Sequence, residues 1–159
     1  MTSSTPEAPV EGSASMLIER PRSEVFAAIA DITRMGEWSP ECTAGRWVAP
    51  ATGPATGVSF EGDNVAKLGP ITLKRWTTVS EITEFVPEEV FEFTAEGYTV
   101  WRYVFEDRDG STLVTESFSH KPYQGVQKLL YTTIARRPKA MVKGMDQTLA
   151  RIKATLEAS

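Results

Sequence analysis

The chain has 159 residues, enough for one domain with a sizeable core and few for two. Hydrophobic residues make up 41% and charged residues 24%, and 17 basic against 21 acidic side chains give a formal net charge of −4. This acidic excess argues against a general nucleic-acid binder, which needs clustered cations. The single cysteine, Cys42, excludes an internal disulfide and a multi-cysteine metal site, and it fits a reducing, cytoplasmic environment.

The first 13 residues are polar and small and include no Lys or Arg. They have neither the basic start nor the apolar stretch of a secretory signal. No apolar run in the chain approaches the ~18 residues of a membrane span, so we expect no integral membrane association. The sequence therefore predicts a disordered tail over residues 1–13 and a single domain over residues 14–159.

Strand-type patterns, rich in β-branched and aromatic residues, recur along the chain. Strands are expected at residues 14–20, 45–48, 58–61, 71–85, 90–94, 99–106 and 112–120. Asp109-Gly110 is a strong signal for a tight hairpin, and Gly62-Asp63-Asn64 also predicts a turn. Because short turns link most neighbours, we expect an antiparallel sheet of six to seven strands.

Helical patterns flank these strands. Two short helices are predicted after the first strand, one starting at Pro21 and one over Ile32–Trp38. Apolar residues then recur at threes and fours towards the end of the chain, interrupted by Pro138, which predicts helices over residues 124–136 and 139–157. A twisted antiparallel sheet can curl around the last helix without filling the space between them, which predicts an α+β fold with a cavity.

Several short motifs together resemble one superfamily. They are Asp31–Cys42 (DITRMGEWSPEC), Phe60-x-Gly62-x-Asn64, Trp76-x-Thr78 leading to Glu84, Pro87, Phe91 and Phe93, Trp101-x-Tyr103-x-Phe105, Gly110–Phe118 (GSTLVTESF) and Gly144-Met145-x-x-Thr148-Leu149. Through them residues 14–158 resemble the helix-grip superfamily of START lipid-transfer domains, the birch pollen allergen and polyketide cyclase/dehydrase-like proteins. The resemblance implies a hydrophobic-ligand fold but no single activity, and it transfers no catalytic residue.

Glu116 is the most informative polar residue, because it lies in the middle of an apolar strand, where burial raises a carboxyl pKa. A tight hairpin places Tyr103 opposite Glu116 and Trp101 opposite Phe118. A Tyr103–Glu116 hydrogen bond would be structural, and proton transfer in catalysis is the alternative. His120, the only histidine, is either a proton donor or acceptor at the cavity mouth or a surface histidine, and lies roughly 13 Å along the strand from Glu116.

Large apolar side chains either fill the core or contact a ligand. The candidate ligand-binding residues are Trp38, Phe60, Trp76, Phe93, Trp101, Tyr103, Glu116, Phe118, Met141 and Met145. Arg102 is expected on the solvated face of the sheet, and Cys42 is expected to be a buried structural cysteine without an activating partner. Asn64 either serves the predicted turn or gates the pocket.

We therefore expect a protein, monomeric or homodimeric, that binds or carries a lipid, a polyketide or an aromatic metabolite. No metal or cofactor is expected, since the sequence has no phosphate loop, nucleophile elbow or metal-spaced residues. The alternative is a polyketide cyclase/dehydratase-type enzyme in which Glu116 or Tyr103 moves protons. A third interpretation, an interaction protein that presents Trp38-Ser39-Pro40-Glu41 and the Pro/Gly-rich loop of residues 50–57 on its surface, has the least support.

Overall fold

A computed structural model describes residues 8–122 and 137–159 of the chain. The strands are β1 (Val10–Ile18), β2 (Cys42–Trp47), β3 (Ser59–Leu68), β4 (Ile71–Val86), β5 (Val90–Ala95), β6 (Thr99–Arg108) and β7 (Ser111–His120). The helices are α1 (Arg22–Ala30), a 3₁₀ helix (Ile32–Glu37) and α2 (Arg137–Glu157). All seven strands form one antiparallel sheet in the order β1-β7-β6-β5-β4-β3-β2, which confirms the predicted fold class.

The β6–β7 hairpin has the turn that its sequence predicts. Asp109 and Gly110 both adopt positive φ, at 51° and 88°, as a two-residue turn of this twist requires. The resulting register pairs Tyr103 with Glu116 and Trp101 with Phe118. The predicted facing of these four side chains is therefore confirmed.

The first strand starts earlier than predicted. Val10 already pairs with His120, so residues 10–13, which we assigned to the tail, belong to the sheet. Their scarcity of apolar side chains suggested disorder, but backbone pairing does not need large side chains. A Cβ on Gly12 would lie 2.8 Å from both Phe118 Cε1 and Val142 Cγ2, so close packing explains the small residue. Residues 1–7 of the predicted tail lie outside the described residues.

The turn predicted at Gly62-Asp63-Asn64 is wrong, because β3 continues through it to Leu68. None of these three residues has positive φ, and the hairpin turns instead at Gly69, with φ 58°. A Cβ on Gly62 would lie 3.3 Å from Cys42 Sγ and 3.4 Å from Thr78 Oγ1. Gly62 therefore serves side-chain packing inside a strand. β2 likewise begins at Cys42, three residues before the predicted strand.

Helix α2 covers only part of the concave face, packing mainly on β1. Leu149, Ile152 and Leu156 are buried there. The chain at the end of β1 fastens the helix, since Arg20 Nε donates to the Leu156 carbonyl oxygen at 2.9 Å. The main helix is therefore confirmed over the described residues, from Arg137 to its predicted end at Glu157, whereas the helix predicted over 124–136 lies outside them.

None of the helices in the two described ranges combines the length and the apolarity that a membrane crossing requires.

The 3₁₀ helix lies directly on β2, backbone against backbone. A Cβ on Gly36 would lie 2.2 Å from the Thr43 carbonyl oxygen, and one on Gly45 would lie 2.2 Å from that of Ile32. Only glycine permits this approach at both positions. The contact fixes the position of Trp38, the buried residue directly after the helix.

We predict that Gly45→Ala lowers the free energy of unfolding by about 2–3 kcal/mol, because its methyl group forces two backbones apart. Urea denaturation measures the difference. Gly53→Ala is the matched control, since no heavy atom lies within 4 Å of its Cβ position. Equal stabilities of the two variants would contradict the prediction.

Candidate functional site

A cavity of about 680 Å³ lies between the concave face of the sheet and the first half of α2. Strands β3 to β7 supply one wall by alternation, since every second side chain points to the same face. The segment after the 3₁₀ helix closes another side. The largest apolar side chains of the wall are Trp38, Phe60, Trp76, Phe91, Phe93, Trp101, Met141 and Met145. Apolar side chains thus supply most of the wall surface, and polar side chains, among them Asn64, Thr78, Glu116 and Lys143, supply the rest.

Most of the predicted ligand-binding residues line this cavity. They are Trp38, Phe60, Trp76, Phe93, Trp101, Tyr103, Glu116, Met141 and Met145. Phe118 is the exception and is corrected here, because its buried ring packs between Trp101 and His120, with centroids 5.7 and 6.0 Å away. That the remaining residues contact a ligand stays a prediction.

Glu116 and Tyr103 form the polar centre of the cavity wall. Tyr103 Oη donates to Glu116 Oε1 at 2.9 Å across the β6–β7 pair, which confirms the predicted hydrogen bond. Both side chains are buried and both line the cavity. Glu116 Oε2 has no hydrogen-bond partner among the described residues. One oxygen of the carboxyl group is therefore held by the protein, and the other is left for a further partner.

Burial keeps a proton on this carboxyl group. Desolvation raises the pKa of Glu116 from 4.5 to about 8, the negative charge of Asp146 adds to the rise, and the hydrogen bond from Tyr103 opposes it. Burial and the neighbouring Glu116 also raise the pKa of Tyr103 well above its ordinary value. At neutral pH both groups are mostly protonated, and Glu116 is able to donate a hydrogen bond from its second oxygen.

Further polar side chains in the wall were not predicted as site residues. Ser80 and Thr148 are buried there, and Thr78 is half-buried. Asn64, for which the sequence left a turn role and a pocket-gating role open, lies in the wall within β3 and donates to Thr78 Oγ1 at 3.2 Å. The turn role is wrong, and the gating role stays a prediction. Alternation along β4 was a usable signal, since Trp76, Thr78 and Ser80 share one face.

Cys42 and Arg102 behave as predicted. Cys42 is buried against the cavity, and burial raises the pKa of its thiol, which keeps the sulfur protonated and unsuited to nucleophilic attack. Arg102 lies on the other face of β6, where Nη1 donates to Glu84 Oε2 at 2.6 Å and Glu92 Oε2 at 2.7 Å. It is therefore no anion clamp for the cavity.

His120 is placed differently from both interpretations of it. It is only 3% exposed, so it is not a surface residue, and it does not line the cavity. Its ring stacks on Tyr98 at 5.1 Å, and Nδ1 lies 2.6 Å from the Lys121 carbonyl oxygen. At the end of β7 the His120 ring is therefore covered by Tyr98, a contact that the sequence around His120 does not indicate.

The surface-patch interpretation of Trp38-Ser39-Pro40-Glu41 is wrong for its main residue. Trp38 is only 3% exposed, and all four residues line the cavity. Within residues 8–122 and 137–159, no three His, Cys, Asp or Glu side chains are grouped to hold a metal ion.

Comparison with known families and structures agrees with this geometry. The family model described as polyketide cyclase/dehydrase and lipid transport matches residues 9–157. The chain is similar to a solved polyketide-cyclase-like protein of Corynebacterium glutamicum, with 30% sequence identity and a TM-score of 0.64 over 94% of this chain and 93% of that one. No curated protein matches the sequence.

Two more distant structures share the fold. An AHSA1-like protein of Aeromonas hydrophila has 19% identity and a TM-score of 0.62, covering 92% of this chain and 93% of its own. A protein of Chromobacterium violaceum has 14% identity and a TM-score of 0.68, covering 91% and 96%.

We predict that Glu116 makes the wild-type protein less stable as the pH rises. Its folded-state pKa of about 8 exceeds its ordinary value of 4.5, so its contribution is complete below about pH 4.5 and is lost on the way to about pH 8. Relative to Glu116→Gln, the wild type should lose on the order of 5 kcal/mol of unfolding free energy across this interval. Urea denaturation at several pH values measures this.

Glu81→Gln is the control, because Glu81 is exposed on β4, and its pH profile should follow that of the wild type. Parallel profiles for wild type and Glu116→Gln would contradict the buried, proton-holding state of Glu116.

Proposed function

Because the chain belongs to the polyketide cyclase/dehydrase and lipid transport family, we propose that it binds or carries one hydrophobic small molecule between sheet and helix α2. The family supports a hydrophobic-ligand fold. A lipid, a polyketide or an aromatic metabolite fits the chemistry of the cavity wall.

The observation that carries this proposal is the size and lining of the cavity. About 680 Å³ falls within the range of ~300–1,000 Å³ that is usual for small-molecule sites. Affinity comes from the burial of apolar ligand surface, at ~25 cal/mol per Å² before the costs of binding. Trp76, Phe93 and Met145 provide such surface from two strands and the helix.

Glu116 orients the ligand in this proposal. Its neutral carboxyl group holds Tyr103 with one oxygen, and its second oxygen donates to a carbonyl or hydroxyl oxygen of the ligand. A ligand carboxylate is disfavoured at this point, because the apolar side chains around Glu116 would leave its charge unsolvated. The expected ligand is therefore mostly apolar and has an uncharged oxygen at its inner end.

A second function, a cyclase or dehydratase activity, is favoured by the pKa of about 8 at Glu116. A carboxyl group with such a pKa is able to accept or donate a proton near neutral pH. Binding without chemistry remains the better-supported function. Tyr103 and the Cys42 thiol both stay protonated, so neither supplies a base beside Glu116, and His120 lies outside the cavity lining.

We predict that Thr78→Phe weakens binding of a neutral naphthylamine fluorophore at least tenfold, because the ring occupies cavity volume. Fluorescence titration measures the dissociation constant. Val79→Phe is the matched control, since the neighbouring Val79 is exposed and lies outside the cavity lining. Equal affinities of both variants and the wild type would place the probe elsewhere and overturn the cavity proposal.

We also predict that binding of an apolar ketone depends on pH through Glu116. Wild-type affinity should fall about tenfold between about pH 6 and pH 9.5, as the donor is lost, while Glu116→Gln retains an amide donor and binds alike at both.

A turnover assay on candidate polyketides separates the two proposed functions. If the wild type converts a polyketide and Glu116→Gln binds it without converting it, the protein is an enzyme. If both proteins bind the polyketide and neither converts it, the protein is a carrier.

A further inference from the structure

The end of the β3–β4 hairpin presents an unusual surface, residues 67–75, which we name the hairpin tip. Leu68, Ile71 and Leu73 are 68%, 60% and 64% exposed, the highest fractions among the large hydrophobic side chains described. Leu68 and Ile71 pair across the two strands, so their side chains share one face. Leu73 lies two residues further along β4, where the register shifts. Exposed large apolar side chains that cluster in this way on a small protein indicate an interaction site.

The same tip carries a local excess of positive charge. Lys67, Lys74 and Arg75 lie within it, and no acidic residue occurs from Asn64 to Ser80. The remaining chain has 14 basic and 21 acidic side chains, so a cationic tip projects from a body with a net charge of −7. In the part of the chain that the structure describes, none of the three cations forms a salt bridge.

The tip extends away from the rest of the sheet. β4 pairs with β5 only from Ser80 onward, and β3 pairs with β2 only as far as Asn64, so residues 65–68 and 71–75 form a two-stranded ribbon roughly 17 Å long. A two-stranded ribbon without a covered face is only marginally stable by itself. Its inner side borders the cavity, since Ala66 and Lys67 line the cavity rim.

We propose that the hairpin tip docks on an anionic lipid bilayer. The leucine and isoleucine side chains enter the interfacial layer, and the three cations contact headgroup phosphates. Docking in this way brings the cavity rim to the bilayer surface, which suits the exchange of an apolar ligand. The proposal rests on the tip alone and holds whichever molecule the cavity binds.

Two other partners fit the tip less well. A nucleic acid would use the cations, but it offers no apolar layer for Leu68, Ile71 and Leu73. A symmetric contact with a second copy would cover the apolar side chains, but it would also bring two sets of three cations together. An anionic bilayer satisfies the apolar side chains and the cations at once.

The test is co-flotation of the full chain with phosphatidylglycerol-containing vesicles and with pure phosphatidylcholine vesicles. We expect binding to the anionic vesicles only, weakened by added salt. Changing Lys67, Lys74 and Arg75 together to Gln should weaken binding on the order of 100-fold, and changing Leu68, Ile71 and Leu73 together to Ser at least tenfold.

The matched control changes three other exposed hydrophobic residues, Leu17, Val48 and Val79, to Ser and should bind as the wild type does. Circular dichroism establishes that each variant is folded. Absence of binding to anionic vesicles, equal binding to neutral ones, or unchanged binding by both tip variants would overturn the proposal. Dimerisation that depends on the tip, without binding to vesicles, would also overturn the proposal and would identify a second copy of the chain as the partner.

A second measurement detects contact between the hairpin tip and the bilayer directly, by fluorescence, and does not depend on a variant that binds less. An environment-sensitive fluorophore attached through Leu68→Cys, with Cys42→Ala to remove the native thiol, should brighten and shift to the blue with anionic vesicles. The same fluorophore at Leu17→Cys should not respond. A response at both positions, or at position 17 alone, would contradict docking through the tip.

Discussion

Helix α2 packs on one edge of the sheet rather than across its whole concave face, and the rest of the structure depends on this constraint. Its second half is fixed on β1, where Leu149, Ile152 and Leu156 are buried and Arg20 holds the last turn through the Leu156 carbonyl oxygen. Its first half lies over strands that curve away from it, where Met141 is one of the cavity-lining residues. A helix that packs closely on β1 with its second half cannot also pack closely along the whole of a twisted sheet. The cavity follows from this mismatch.

Electrostatics then gives this cavity its chemical character. An acid in an apolar wall must either find a cation or keep its proton. Among the described residues Glu116 forms no ion pair, and Tyr103, its hydrogen-bond partner, is itself hard to ionise at this depth. The result is an uncharged acid with a directional donor. A glutamine at this position would donate a similar hydrogen bond at every pH. A glutamic acid donates one only while it is protonated, so hydrogen-bond donation by Glu116 depends on pH.

The sequence predicted the features that local patterns control. Alternation along β6 and β7, with a two-residue turn between them, was enough to pair Tyr103 with Glu116 and to turn Arg102 outward. It failed where distant packing decides. Gly62 has the chemistry of a turn residue, but its place is set by Cys42 on another strand. His120 is covered by Tyr98, twenty-two positions earlier, and nothing near the histidine indicates that contact. Alternation along the strands predicts which residues face the concave side of the sheet. It does not predict that one oxygen of Glu116 has no hydrogen-bond partner among the described residues.

The β3–β4 hairpin unites the two surfaces that give this fold its chemistry. Near the body, the alternate side chains Thr78 and Ser80 face the cavity. Further out the same strand has only one neighbour, so residues that alternation would bury elsewhere remain exposed on a ribbon. Leucine and isoleucine at such a tip reduce solubility and add nothing to the core. Their presence, beside cations that form no salt bridge with any described residue, is the reason for our proposal that docking buries them.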